Sequence, residues 1–191
     1  MPVNLPVEQA EPVPIIIDDD GSQDGMTAIS YILQNPKFDV QAMTVSQGLA
    51  RPEVFGDNLM GMLTRLGVTG IPVAIGSSEP LAGDNTFPDA FRTDSDNFWS
   101  PFVTLPDFAL ETLDERDAAD LIIDTVNNSP EPIAILATGP LTNIAEALRR
   151  DPGIVDNISV VQIMGGAVFD PGNLREHLDP VLSQNEVAEF N

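Results

Sequence analysis

Apolar residues along the chain alternate between two periodicities. Ile15-Ile16-Ile17 is β-branched and apolar at every position, as a central parallel strand buried on both faces requires. Met26, Ile29, Ile32 and Leu33 then recur at helical spacing over Met26 to Leu33, and Asn35-Pro36 ends that segment. Val40 to Val45 reads as a second strand. Residues 53–66 read as a helix, with Val54, Leu59, Met62, Leu63 and Leu66 at its apolar positions and Gly67 closing it, and Ile71 to Ile75 as a third strand. Alternation of this kind predicts an α/β fold, a mostly parallel open sheet with helices on both faces and right-handed crossovers.

From Gly76 to Pro106 the periodicity fails, and Gly, Pro, Asp, Ser and aromatic residues take over. A stretch of that length without regular structure is uncommon in a compact domain, so it is expected to be a functional loop or lid. Phe87, Phe91, Phe98, Trp99 and Phe102 crowd it, and they suit either a lid over a flat ligand or simple anchoring of the loop. Periodicity resumes with a helix over Asp117 to Asn127, a strand over Ile133 to Leu136, a helix over Leu141 to Arg149 stopped by Asp151-Pro152-Gly153, and a strand over Ile158 to Ile163. After Met164 the pattern dissolves again. There is no internal repeat, and no linker divides the chain.

Composition narrows the function classes. The 191 residues carry 30 acidic against 8 basic side chains, a net charge of -22, with Lys37 the sole lysine. Such a chain repels phosphate backbones and anionic lipid, which argues against nucleic acid or membrane partners and leaves cations as plausible ones. The absence of cysteine removes disulfides, zinc-thiolate sites, iron-sulfur clusters and thiol nucleophiles. Residues 1–13, rich in proline and without a basic or continuous apolar segment, read as a flexible lead-in rather than a signal peptide or span, and 14–191 as the folded domain. The compartment stays open between cytoplasm and a secreted or periplasmic location, as does assembly into a homo-oligomer.

Candidate chemistry concentrates after the first strand. Asp18, Asp19, Asp20 and Asp24 lie where open parallel sheets bind ligands, outside the carboxyl ends of the strands. Carboxylates so close repel one another, and a cation, shared protons or helix N-termini relieve that repulsion. Oxygen ligands without Cys point to calcium or magnesium. The plainer reading is a polar loop in which Asp24 caps the helix that follows.

The string Ile16-Ile17-Asp18-Asp19-Asp20-Gly21-Ser22-Gln23-Asp24-Gly25 resembles the DxDxxxDD motif of the nucleoside N-ribohydrolases, the inosine-uridine preferring family. Ala137-Thr138-Gly139-Pro140-Leu141-Thr142-Asn143-Ile144-Ala145 is similar to the family's TGPLTNLA turn. Ile163-Met164-Gly165-Gly166-Ala167 with Gly172-Asn173 resembles its MGG...GN segment, and Ala188-Glu189-Phe190-Asn191 its AEFN. The resemblance implies a Rossmann-like core and hydrolysis of a ribonucleoside to free base and ribose, by a water on a calcium ion that also chelates the ribose 2'- and 3'-hydroxyls. By motif position, Asp20 would be general base and metal ligand, Asp24 a ligand to calcium and ribose, and the Thr138 carbonyl part of the calcium shell. Asp18 would orient the cluster. Met164, Asn173, Glu189, Phe190 and Asn191 would hold the substrate, whose base, purine or pyrimidine, is not legible.

The chain departs from the pattern in several places. Gly25 stands where the family has its fourth acid, a calcium ligand, and Asp19 is expected to substitute poorly because adjacent strand residues point to opposite faces. Ser46-Gln47-Gly48 replaces the usual Ala-Gly-Asn, with Gln47 within reach of a ligand. His177, between Glu176 and Asp179, reads as a solvated loop residue rather than an acid for the leaving base. Family members continue past AEFN with a late calcium-binding Asp, so the C-terminal part of the domain is expected to lie outside these 191 residues. Two rivals stay open: a nucleoside- or sugar-binding homologue impaired in catalysis, and a haloacid-dehalogenase type phosphatase, which Asp18-Asp19-Asp20-Gly21-Ser22 imitates. The phosphatase needs a downstream lysine, and Lys37 is badly placed for it.

Overall fold

The computed structural model describes residues 11–81, 86–97, 105–106 and 108–166. Five parallel strands, β1 (Val13–Asp19), β2 (Phe38–Val45), β3 (Val73–Ile75), β4 (Ile133–Ala137) and β5 (Ile158–Ile163), form one sheet in the order β3-β2-β1-β4-β5. The chain winds outward from β1 to β2 and β3, then returns to the other side of β1 to lay down β4 and β5. The direction of winding therefore reverses between β1 and β4, and the crevice at their carboxyl ends is the ligand position such sheets share.

Alternation along β1 divides its side chains between two cores. Ile15 and Ile17 pack with Met43 and Val45 under helices α1 (Gln23–Gln34) and α2 (Pro52–Leu66), which contribute Met26, Ile29, Phe55 and Leu59. Ile16 packs on the opposite face with Ala42, Ile135 and Ala137 under α4 (Ala118–Asn128) and α5 (Thr142–Arg150), through Leu121, Ile122, Ile144 and Ala147. Both faces are covered, which is why β1 reads as a continuous apolar run.

The elements follow the sequence pattern, with shifts that have identifiable causes. Helix α1 begins at Gln23 rather than Met26 because the Ser22 hydroxyl accepts from Gly25 N (3.0 Å); Ser22, not Asp24, is its cap. Gly67 closes α2 in the left-handed conformation (φ 68°), where a glycine bears no Cβ penalty. Strand β3 starts at Val73 because Pro72 has no N–H to give the ladder and offers only its carbonyl, to Met43 N (2.9 Å). The largest difference lies in the stretch expected to be irregular, where Asp89–Asn97 forms a helix, α3, with no buried residue. Arg51 holds it from outside the core, through its guanidinium to Asp96 and to Asp89 (3.3 Å) and through its N–H to Asp96 Oδ1 (2.8 Å). Asp151-Pro152-Gly153 does stop α5, and the chain continues as a 3-10 helix, Pro152–Asn157, capped by Asp151.

Candidate functional site

Strand β1 runs two residues into the acidic cluster: Asp18 pairs with Thr44 and Ala137, and Asp19 with Val45. The ladder then continues past the strands. Thr138 N donates to Asp18 O, Ser46 N to Asp19 O and Ala50 N to Asp20 O, each at 2.9 Å, and Met164 N donates to Ala137 O (2.8 Å). These bonds align the turns after β1, β2, β4 and β5 along one rim of the sheet, so that segments 120 residues apart in sequence form one site.

All three successive aspartates are buried, at 0%, 1% and 3% exposure. Asp18 faces the α4–α5 side, where its Oδ1 accepts from Thr44 Oγ1 (2.6 Å) and Asn143 Nδ2 (2.8 Å) while its Oδ2 has no partner. Asp19 turns to the start of α1, its Oδ1 accepting from Gly21 N (2.9 Å) and its Oδ2 from Thr138 Oγ1 (2.6 Å). Asp20 leaves the strand between the β2 and β4 turns, and its Oδ2 accepts from Leu49 N (3.0 Å). Burial pushes the Asp18 carboxyl up to about 7, against the opposing hydrogen bonds from Thr44 and Asn143. Burial, followed by the charge of Asp19, pushes Asp20 up to about 8, and burial raises Asp19 as well. Among the described residues no basic side chain offsets any of the three.

Glycines let backbone crowd this cluster. A Cβ on Gly48 would collide with the Asp20 carboxylate, and one on Gly139 would stand 2.5 Å from Ser46 Oγ and 2.7 Å from Asp20 Cβ. Gly139→Ala is accordingly expected to lose about 1–3 kcal/mol through overpacking, read from the midpoint of a urea unfolding curve. An unchanged midpoint would mean that the turn moves aside freely.

Donor chemistry in the crevice suits a hard divalent cation. The available groups are oxygens, and two of them, Asp18 Oδ2 and Ser46 Oγ, are buried without a hydrogen-bond partner. Among the described residues no three acidic or histidine side chains converge into a complete metal-holding group, so any cation here would draw on backbone or hydroxyl oxygens and on further ligands.

Of the residues singled out in the sequence, Asp18, Asp20 and Thr138 come together at the centre. Asp24 is exposed in the first turn of α1, on the rim close to Asp19, and Met164 stands at the end of β5, 46% exposed. Asn173, His177, Glu189, Phe190 and Asn191 lie outside the described residues, as do Phe98, Trp99 and Phe102. Gln47 is buried beside the cluster at 3% exposure. Thr44, Ser46, Leu49 and Asn143 were not assigned from sequence. Asn143 sits inside the TGPLTNLA-like turn that was recognised, whereas Leu49 acts through its backbone and leaves no signal in residue type. Lys37 is exposed immediately before β2, at the opposite end of the sheet from the aspartates, where it cannot balance a phosphate in the crevice.

Comparison with known proteins agrees with this geometry. The chain is 38% identical over 156 residues to a pyrimidine-specific ribonucleoside hydrolase, RihA, of Citrobacter koseri, an alignment covering 82% of this chain and 49% of the relative. The fold is similar to that of a purine-preferring ribonucleoside hydrolase from Gardnerella vaginalis (TM-score 0.73, 31% identity, 84% of this chain and 51% of that one). It is also similar to that of an inosine-uridine preferring nucleoside hydrolase from Bacillus anthracis (TM-score 0.72, 22% identity, 88% and 54%). The chain thus spans about half the length of the curated relatives it matches. A family model described as inosine-uridine preferring nucleoside hydrolase matches residues 15–191, from the strand that carries the aspartates to the last residue. The chain belongs to the inosine-uridine preferring nucleoside hydrolase family.

Proposed function

We propose that this protein hydrolyses the N-glycosidic bond of a ribonucleoside, releasing the free base and ribose. The observation that carries the reading is the run of three buried aspartates, uncompensated by any basic side chain among the described residues, at the switch-point crevice of a nucleoside hydrolase family sheet. Calcium, held by Asp20, Asp24 and the Thr138 carbonyl together with ligands from elsewhere in the protein, would orient the ribose hydroxyls and acidify a water.

The chain's own residues supply the rest. Asp20, steadied by the Leu49 N–H and flanked by two glycines, accepts the proton of the attacking water as general base. Asp18, fixed by Thr44 and Asn143, orients the acidic cluster, whose negative charge would favour the positive charge that develops on the ring as the bond to the base breaks. Met164 stands at the end of β5, and by motif position Asn173, Glu189, Phe190 and Asn191 would join it in holding the substrate. Purine and pyrimidine nucleosides are both candidate substrates, since the relatives named above include a pyrimidine-specific and a purine-preferring enzyme.

Gly25 favours a second reading, a nucleoside- or sugar-binding homologue without turnover. Ribose release from inosine and uridine, measured with calcium and with a chelator, separates the two. Turnover lost on chelation is expected. Binding without turnover would support the second reading, and activity only on p-nitrophenyl phosphate with magnesium would return the phosphatase.

A further inference from the structure

Asp19 and Gly25 interlock. Strand alternation sends the Asp19 side chain to the α1 face, with Ile15 and Ile17, and its carboxylate ends against the first turn of α1. A Cβ built on Gly25 would stand 2.8 Å from Asp19 Cγ and collide with Asp19 Oδ2. The carboxylate therefore fills the space into which any side chain at position 25 would grow. It is held there by Gly21 N on one oxygen and Thr138 Oγ1 on the other. Each of these oxygens accepts one hydrogen bond and keeps a second lone-pair direction for a ligand.

An independent observation points to a ligand in the same crevice. Ser46 Oγ is fully buried with no hydrogen-bond partner, and it flanks the same glycine, Gly139, as Asp20. Thr138, which holds Asp19, immediately precedes that glycine. Asp20, the orphaned hydroxyl and the Gly139 turn thus stand together, and Asp19 is tied to the same turn through Thr138, hard oxygens suited to a divalent cation.

We infer that Asp19 is a calcium ligand of this site, supplying the carboxylate that position 25 lacks, and that Gly25 is kept small to admit it. The inference rests on the calcium reading of the site proposed above and adds a ligand to it. The strand argument that set Asp19 aside holds for the direction of its Cβ but not for its carboxylate, which the start of α1 and Thr138 bring back to the rim.

Calorimetric titration of calcium into the full chain and three variants tests it. Asp19→Asn is expected to bind calcium about 10–100-fold more weakly. Gly25→Asp alone is expected to melt at lower temperature, because its side chain collides with Asp19. The double variant Asp19→Ala, Gly25→Asp is expected to recover most of the lost affinity by moving the carboxylate to the other position. Wild-type affinity in a folded Asp19→Asn protein would overturn the assignment, as would a folded double variant that binds no better than Asp19→Asn. Should Asp19→Asn fail to fold, the double variant decides alone. A wild-type chain that binds no calcium would overturn the calcium reading together with this one, whereas binding indifferent to Asp19 overturns this one only.

Discussion

Asp20→Asn is expected to lower ribose release, the activity proposed for this protein, by about 10²–10⁴-fold in kcat, while the protein melts at a higher temperature than the wild type. The two effects have one cause. The Asp20 carboxyl is 3% exposed, accepts from Leu49 N and has no basic partner among the described residues, so folding the metal-free protein must either bury its charge without compensation or hold it protonated well above its usual range. An isosteric amide removes that cost and keeps an acceptor for Leu49 N, but it cannot take a proton from water. Opposite changes in activity and stability distinguish this result from simple misfolding, and Asp20→Ala should show the same loss of turnover. Retained turnover in either variant would remove Asp20 from the role of base.

Stability of the metal-free protein should fall as pH rises. Asp18 and Asp20 titrate near 7 and near 8 in the folded state, and Asp19 is raised as well, whereas all three titrate near 4 once unfolded. Between those values the folded chain binds more protons than the unfolded one. The contribution of these groups is therefore fully present below about pH 4 and is lost as pH rises through about 7 to 8. Each 1 kcal/mol lost lowers the melting temperature of a chain of this size by about 2–4 °C. Surface repulsion among the other acids acts in the same direction, but salt screens it and leaves the buried groups almost untouched, so the measurement belongs in high salt. Asp20→Asn should flatten the profile. Calcium should reverse it, because ligation needs deprotonated carboxylates and its stabilisation grows with pH. A metal-free melting temperature that climbs from pH 5 to 8 would contradict the assigned burial of these acids.

Much of this arrangement was legible in the sequence because it rests on side-chain type at a fixed period. The isoleucine run of β1, the helical spacing of α1 and α2 and the Gly67 stop each map onto one element, and the acidic motif follows the β1 run directly, which marks it as a strand end. What escaped was carried by backbone or by distant tertiary contacts. Helix α3 has no apolar face to announce it and is held by Arg51 from another part of the chain. Leu49 reaches Asp20 through its N–H, and the turns after β1, β2 and β4 meet only because the ladder continues beyond the strands. Asp19 does point to the face opposite Asp18, as strand alternation requires, but the end point of its carboxylate was not legible for a related reason. Alternation fixes where a Cβ points, but the hydrogen bonds of the carboxylate, to residues 2 and 119 positions away, decide where the charge ends up.

The interlock of Asp19 with Gly25 also constrains how such a site can change over generations. The two positions cannot both bear side chains in the present geometry, so a carboxylate cannot pass from one to the other by way of an ancestor holding both. One route crosses a collision at the start of α1, and the other crosses a chain with an acid at neither position. Sequences on either side of that gap would be expected to keep to it: a small residue at 25 would accompany Asp19, and an acid at 25 a smaller, uncharged residue at 19. The pair is expected to change as a unit, because a single substitution at either position is read by the fold before it is read by chemistry.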